Sequence, residues 1–226
     1  MNTMNNNECN SLKTTVILIR HGQSTTNLDL VFTGQGDTDL TELGRTQAEL
    51  LGKWATKEYR IDRIYSSDLK RAYETAKVTA DILGLQVERS AALREINCGD
   101  WEDVKFEEIR ERFSKDYSVW LNRIEDAHCT NGETVREMAD RVIREITRIA
   151  RENTGKTVMI VSHGTPIRAF QARFEKGSID LMHEVNWVPN ASSTECEYRD
   201  GGFSFCRIGC TDYLKDAKTT LPRGLV

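Results

Sequence analysis

Thr15-Val16-Ile17-Leu18-Ile19, followed at once by Arg20-His21-Gly22-Gln23-Ser24, is the stretch on which the reading of this chain turns. The first five residues form a short apolar run rich in β-branched side chains, with no polar alternation. Such a run reads as a strand buried on both faces, as in a parallel sheet covered by helices. A second run, Thr157-Val158-Met159-Ile160-Val161, leads into Ser162-His163-Gly164-Thr165-Pro166. A weaker third, Ile61 to Tyr65, carries Asp62 and Arg63 inside it and leads into Ser66-Ser67-Asp68.

Helical periodicity fills the intervals. Leu43, Leu50, Leu51 and Trp54 mark one amphipathic stretch after Thr41, a natural N-cap. Leu69, Ala72, Ala76 and Thr79 to Leu83 mark a second, closed by Gly84. Val135, Met138, Val142, Ile146 and Ile149 mark a third. Strands alternating with helices predict a three-layer α/β/α domain around a mostly parallel central sheet. Near the end, Ser193 to Tyr198 and Phe203 to Ile208 flank Arg199-Asp200-Gly201-Gly202, which predicts a hairpin. The charged, aromatic stretch 99–131 reads as a small cap inserted in a single domain spanning 14–226. Met1 to Lys13 is polar and rich in Asn, and is expected to be a flexible tail.

Composition narrows the function. The chain has 226 residues, 31 basic and 35 acidic, for a net charge of −4. An acidic chain is a poor default candidate for a nucleic-acid binder. Mean hydropathy is −0.53, and no apolar run approaches the ~18 residues that span a bilayer. The N-terminal residues lack the apolar core of a secretory signal, so a cytoplasmic location is expected, with the six cysteines as free thiols. Cys206 and Cys210 have no partners at zinc-finger spacing, and no metal is expected. A monomer and a homodimer both fit the sequence.

In open α/β sheets, ligands bind beyond the carboxyl ends of the strands. Two of the four histidines, His21 and His163, stand at such ends, each followed by Gly. The Gly lets the backbone turn sharply and approach a ligand closely. Thr165 then Pro166 is expected to cap a helix whose N-terminus adds positive partial charge. Arg71, in the first turn after the third strand, can point back to the same edge. Arg20, Arg71, His21 and His163 in one cleft favour an anion, and the guanidinium fork suits a tetrahedral phosphate. His128 and His183 lack such a context and read as surface or packing residues, and the tryptophans as packing.

Other phosphate chemistries fail on spacing. A Cys-based phosphatase needs Arg six positions after its Cys; the residues found there are Thr15, Val104, Val135, Gly202, Asp212 and Asp216. A P-loop is absent. Asp37-Thr38-Asp39-Leu40-Thr41 imitates an aspartyl-phosphate motif but follows Gly-rich sequence rather than an apolar strand.

The residues resemble those of the histidine phosphatases, the phosphoglycerate mutase-like superfamily. Leu18 to Ser24 is similar to the family's L-x-R-H-G-[EQ]-[ST] signature. Tyr65 to Ala72 resembles its S-S-x-L-x-R-A motif. Leu93-Arg94-Glu95-Ile96, with Gly99, Trp101 and Glu102, is similar to its acid segment, and Ser162-His163-Gly164 to its second His motif. The resemblance covers residues 15 to about 215. It implies that His21 is the nucleophile and forms a phosphohistidine, with Glu95 the general acid and then the base. It implies that Arg20, Arg71 and His163 bind the phosphoryl group, with Asn27, Gly164 and the backbone around Thr33 and Gly34 assisting, and no cofactor. The free nitrogen His21 needs for attack requires its other nitrogen to donate, and a backbone carbonyl is the expected acceptor.

The sequence departs from the pattern at Gln23, where Glu is commoner, at Asp103, and at Tyr213 in the ending. The expected activity is hydrolysis of a small phosphorylated metabolite. A mutase of this family carries a basic insertion between the acid and the second His, whereas Glu95 and His163 are only 68 positions apart (163 − 95). A non-catalytic phosphate-binding module is the remaining alternative.

Overall fold

The computed structural model describes residues 12–220. The elements run β1 (Thr14–Arg20), α1 (Thr25–Leu28), β2 (Val31–Phe32), α2 (Glu42–Glu58), β3 (Arg63–Ser67), α3 (Lys70–Leu83) and β4 (Val87–Ser90). They continue with β5 (Val104–Lys105), α4 (Phe106–Arg112), α5 (Ser114–Asn122), α6 (Val135–Glu152), β6 (Thr157–Ser162), α7 (Gly164–Glu175), β7 (Ser193–Arg199) and β8 (Gly202–Cys210).

The main sheet has the order β4-β3-β6-β1-β7-β8. The first four strands are parallel, and β7 and β8 complete it antiparallel. The apolar runs became central strands because both faces are covered. Val16 and Leu18 of β1, with Val158 and Ile160 of β6, pack into a core shared with α6, α7 and residues 101–127. Ile17, Ile19, Met159 and Val161 point the other way, into a core shared with α2 and α3. Three α/β/α layers result.

Local signals set the helix ends. Thr41 caps α2 by accepting from the Gly44 amide, and Gly84 ends α3. The α6 N-terminus carries a capping box between Thr134 and Glu137. In the β7–β8 turn, Asp200 and Gly201 have φ of 51° and 85°. A positive φ at both central positions matches the twist of paired strands, which is why Asp-Gly makes this hairpin.

Several expectations need correction. The third strand covers Arg63–Ser67 rather than Ile61 to Tyr65. Asp62 instead exchanges hydrogen bonds with Thr157 at the sheet margin, while the polar Ser66 and Ser67 pair on inside the sheet. Neither β4 nor the two-stranded β2–β5 sheet had a periodic signal. Helix α7 starts at Gly164 with extended His163 as its N-cap, so Thr165 is not the cap and Pro166 is not the first helical residue. Pro166 is tolerated in the first turn because the amide it lacks would have had no partner there. Tyr213, the departure from the family ending, stacks on Trp54 and donates to the Ala191 carbonyl.

Most of the N-terminal tail lies outside the described residues; Lys13 pairs with Glu197. The five cysteines among the described residues are unpaired, and Cys9 lies outside them. No described helix is long and apolar enough to cross a membrane.

Candidate active site

Strand register brings the two histidines together. Arg20 of β1 is the parallel partner of Ser162 of β6, so His21 and His163 leave the sheet side by side. Their ring centroids are 5.1 Å apart. The His21 amide donates to the Ser162 carbonyl at 3.0 Å, and its carbonyl accepts from Ala191 and from the Asn190 side chain. Past His21, the backbone packs against α2: a Cβ on Gly22 would stand 2.6 Å from the Gly44 carbonyl oxygen. Only glycine permits that approach.

His21 Nδ1 donates to the carbonyl of Gly22 at 2.7 Å. That bond fixes the ring and leaves Nε2 as the lone-pair nitrogen. Burial, together with the charges of Arg71 and Arg20, holds His21 well below its ordinary pKa, and the ring is neutral. Burial and Arg71 do the same to His163. Both His163 nitrogens and Arg20 Nε are buried without a protein partner among the described residues. Buried polar groups normally find one, so these atoms are available to a ligand.

The guanidiniums are held by carbonyls. Arg20 donates to Val188 at 2.6 Å, and burial pushes its pKa down to about 10. Arg71 donates to Gly36 at 2.9 Å and to Gly34 at 2.8 Å. The loop offering those carbonyls is tied from behind by Glu102, whose carboxylate accepts from the amides of Gly34, Gln35 and Gly36 at 3.0, 3.0 and 3.1 Å. The Glu102 carboxylate thus fixes three amides, and two carbonyls of the same loop fix Arg71.

Glu95 sits at the rim. Its oxygens accept from the amides of Ile96 at 2.9 Å and Thr165 at 3.2 Å. Burial raises its pKa against the pull of those amides and of Arg71. Arg141 clamps its segment, donating to the carbonyls of Arg94 and Glu95, both at 2.7 Å.

An open cavity of about 280 Å³ is lined by Arg20, Asn27, Thr33, Glu95, Gly164 and Thr165 among others. His21, His163 and Arg71 do not border it; at 4%, 0% and 2% exposure they lie deeper. Asn27 borders the cavity, with its carbonyl oxygen accepting from Asn190 and from the Ser24 amide. Gly34 departs from expectation. Its amide is taken by Glu102, so it acts on the site through Arg71 rather than by donating to a ligand. The role of Glu102 and the clamp by Arg141 were missed. The Trp-Glu pair after the acid was the available signal for the first; Arg141 is one more Arg on a charged helix. His183 reaches buried Glu125, away from this site. Trp120 and Trp187 do line the cavity, beyond the packing role expected of them.

Fold and site together define an α/β protein with a cationic hollow at the carboxyl edge of its parallel strands. The chain belongs to the histidine phosphatase superfamily (branch 1), whose family model matches residues 16–211. It is 32% identical to the metal-independent phosphoserine phosphatase of Arabidopsis thaliana, over 84% of this chain and 85% of that one. It is 34% identical to the 2,3-bisphosphoglycerate-dependent phosphoglycerate mutase of Allorhizobium ampelinum, over 76% and 84%. The solved structure of Bacillus stearothermophilus YhfR superposes with a TM-score of 0.84 at 28% identity, over 89% of this chain and 99% of that one. Its relatives thus include phosphatases and mutases, and the family and its phosphatase-named members support a phosphatase.

Proposed function

We propose that the chain is a phosphomonoester hydrolase that works through a phosphohistidine on His21, without a metal. The carrying observation is the pairing of two neutral imidazoles 5.1 Å apart, one with Nδ1 tied to Gly22 and Nε2 free. Nε2 attacks phosphorus, and the P–O bond to the alcohol breaks. Glu95, whose raised pKa favours the acid form, gives its proton to the departing oxygen. Water then attacks phosphorus on the opposite side from Nε2, losing a proton to Glu95; the P–Nε2 bond breaks, and inorganic phosphate leaves with the His21 lone pair restored. The covalent step divides one hard displacement into two. Arg20, Arg71 and His163 stabilise charge on the three oxygens that stay with phosphorus.

On this reading the chain is a cytoplasmic enzyme of one domain, 14–226. Residues 99–131 act as a cap over a small phosphorylated metabolite, and neither nucleic acid nor membrane is a partner. Phe106 and Trp120, from within that stretch, border the cavity.

The purified protein is expected to hydrolyse p-nitrophenyl phosphate in the presence of EDTA. His21→Ala should abolish turnover and the acid-labile phosphoryl label on the protein. A metal requirement, or transfer between hydroxyls of phosphoglycerate far faster than phosphate release, would replace this reading. The second result would favour the mutase; no turnover on any phosphoester would favour the binding module.

A further inference from the structure

The phosphoryl end of the site leaves most of the cavity unexplained. Among the described residues that line it, only Arg20 and Glu95 carry charge, and both are committed to the phosphoryl group and the proton. The rest of the wall is apolar or neutral. Phe32, Phe106, Trp120 and Trp187 form a connected aromatic surface: Phe32 stands 5.4 Å from Phe106 and 5.0 Å from Trp120, and Trp120 6.3 Å from Trp187. Leu28 and Leu30, 62% and 40% exposed, also line the cavity.

This wall is built rather than incidental. The short β2–β5 sheet pairs Val31 with Lys105 and Phe32 with Val104, and the Phe106 amide donates to the Leu30 carbonyl at 3.2 Å. Leu30 itself is held at φ 55°, a conformation leucine rarely adopts. Arg168, buried behind the wall, lies over the Trp187 ring at 4.7 Å.

We infer that the alcohol released is uncharged and ring-bearing, and seats its apolar face on the wall of Phe106, Trp120 and Trp187. The inference rests on the phosphohydrolase reading and extends it. A carboxylate or second phosphate on the alcohol would find no cation but the committed Arg20 among the described lining residues, which leaves the loss of its hydration uncompensated. An ammonium would find no carboxylate but Glu95 among the described lining residues. A ring instead covers aromatic surface and the two exposed leucines.

The test compares kcat/KM for 2-phenylethyl phosphate with O-phospho-L-serine and 3-phosphoglycerate. The phenyl ester is expected to exceed both by about 100-fold, the scale set by burying one ring. Leu28→Arg, at an exposed position, should move the ratio at least about tenfold toward 3-phosphoglycerate. Wild-type preference for either charged substrate, or a ratio unmoved in Leu28→Arg, overturns the inference. If nothing is turned over, binding to His21→Ala by calorimetry still decides. Tighter binding of the phenyl ester upholds the substrate class while the hydrolase reading fails; tighter binding of 3-phosphoglycerate overturns the class.

Discussion

Glu95 accepts two backbone amides, yet burial still raises its pKa above the ordinary carboxylate value. His21, by contrast, is driven well below its ordinary 6.5. The two shifts point to opposite roles: a carboxyl that holds its proton and an imidazole that stays free of one. On the proposed mechanism, the nucleophile is lost only when pH falls through the depressed pKa of His21, and the acid is lost as pH rises through the raised pKa of Glu95. The kcat profile for an alkyl phosphate should therefore peak on the acid side, with Glu95 owning the alkaline limb. Glu95→Gln should slow that reaction by about 10²–10⁴-fold and remove the limb. A limb that survives the substitution would assign the proton to another group.

At the scale of elements, the site depends on contacts made between them. Strand β1 supplies Arg20 and His21, β6 supplies His163, α3 supplies Arg71, and the segment after β4 supplies Glu95. The loop 34–36 joins them, carrying Arg71 on its carbonyls and Glu102 on its amides. In Glu102→Gln one carboxylate oxygen becomes an amide donor facing other donors, Cys98 Sγ or a loop amide. An unpaired buried donor costs about 1–3 kcal/mol. The variant should melt earlier and bind orthovanadate about tenfold more weakly, the affinity equivalent of ~1.4 kcal/mol. Vanadate affinity equal to wild type, measured by inhibition, would show that Arg71 keeps its place without the carboxylate.

For the whole molecule, gathering two guanidiniums and two imidazoles in one hollow opposes folding. Burial lowers the pKa of all four. Because both histidines are depressed in the folded state, the unfolded chain binds protons more readily, and stability falls as pH drops below about 6.5. A bound anion offsets the repulsion. Phosphate at a hundred times its Kd should add about 2.7 kcal/mol, a rise in Tm of roughly 5–10 °C for a chain of this size. Melting curves with and without phosphate across pH 5 to 8 check both effects. A Tm indifferent to phosphate would argue that the hollow is not an anion site.

By itself, the sequence determined the layers and the partners at the strand ends. Short, unbroken β-branched runs read as strands covered on both sides, and His-Gly after each stands at the edge where such sheets bind ligands. Arg71 was legible because the first turn of a helix points back to that edge. What the tertiary structure alone decided is everything carried by backbone. The carbonyls of Val188, Gly34 and Gly36 that hold the arginines, the amides that Glu102 gathers, and strand β4 have no side-chain pattern to announce them. The aromatic wall likewise looks like ordinary core in one dimension. It becomes a cavity lining only because the small β2–β5 sheet swings Phe106 beside Leu30, a contact between residues 76 positions apart (106 − 30) that no local periodicity encodes.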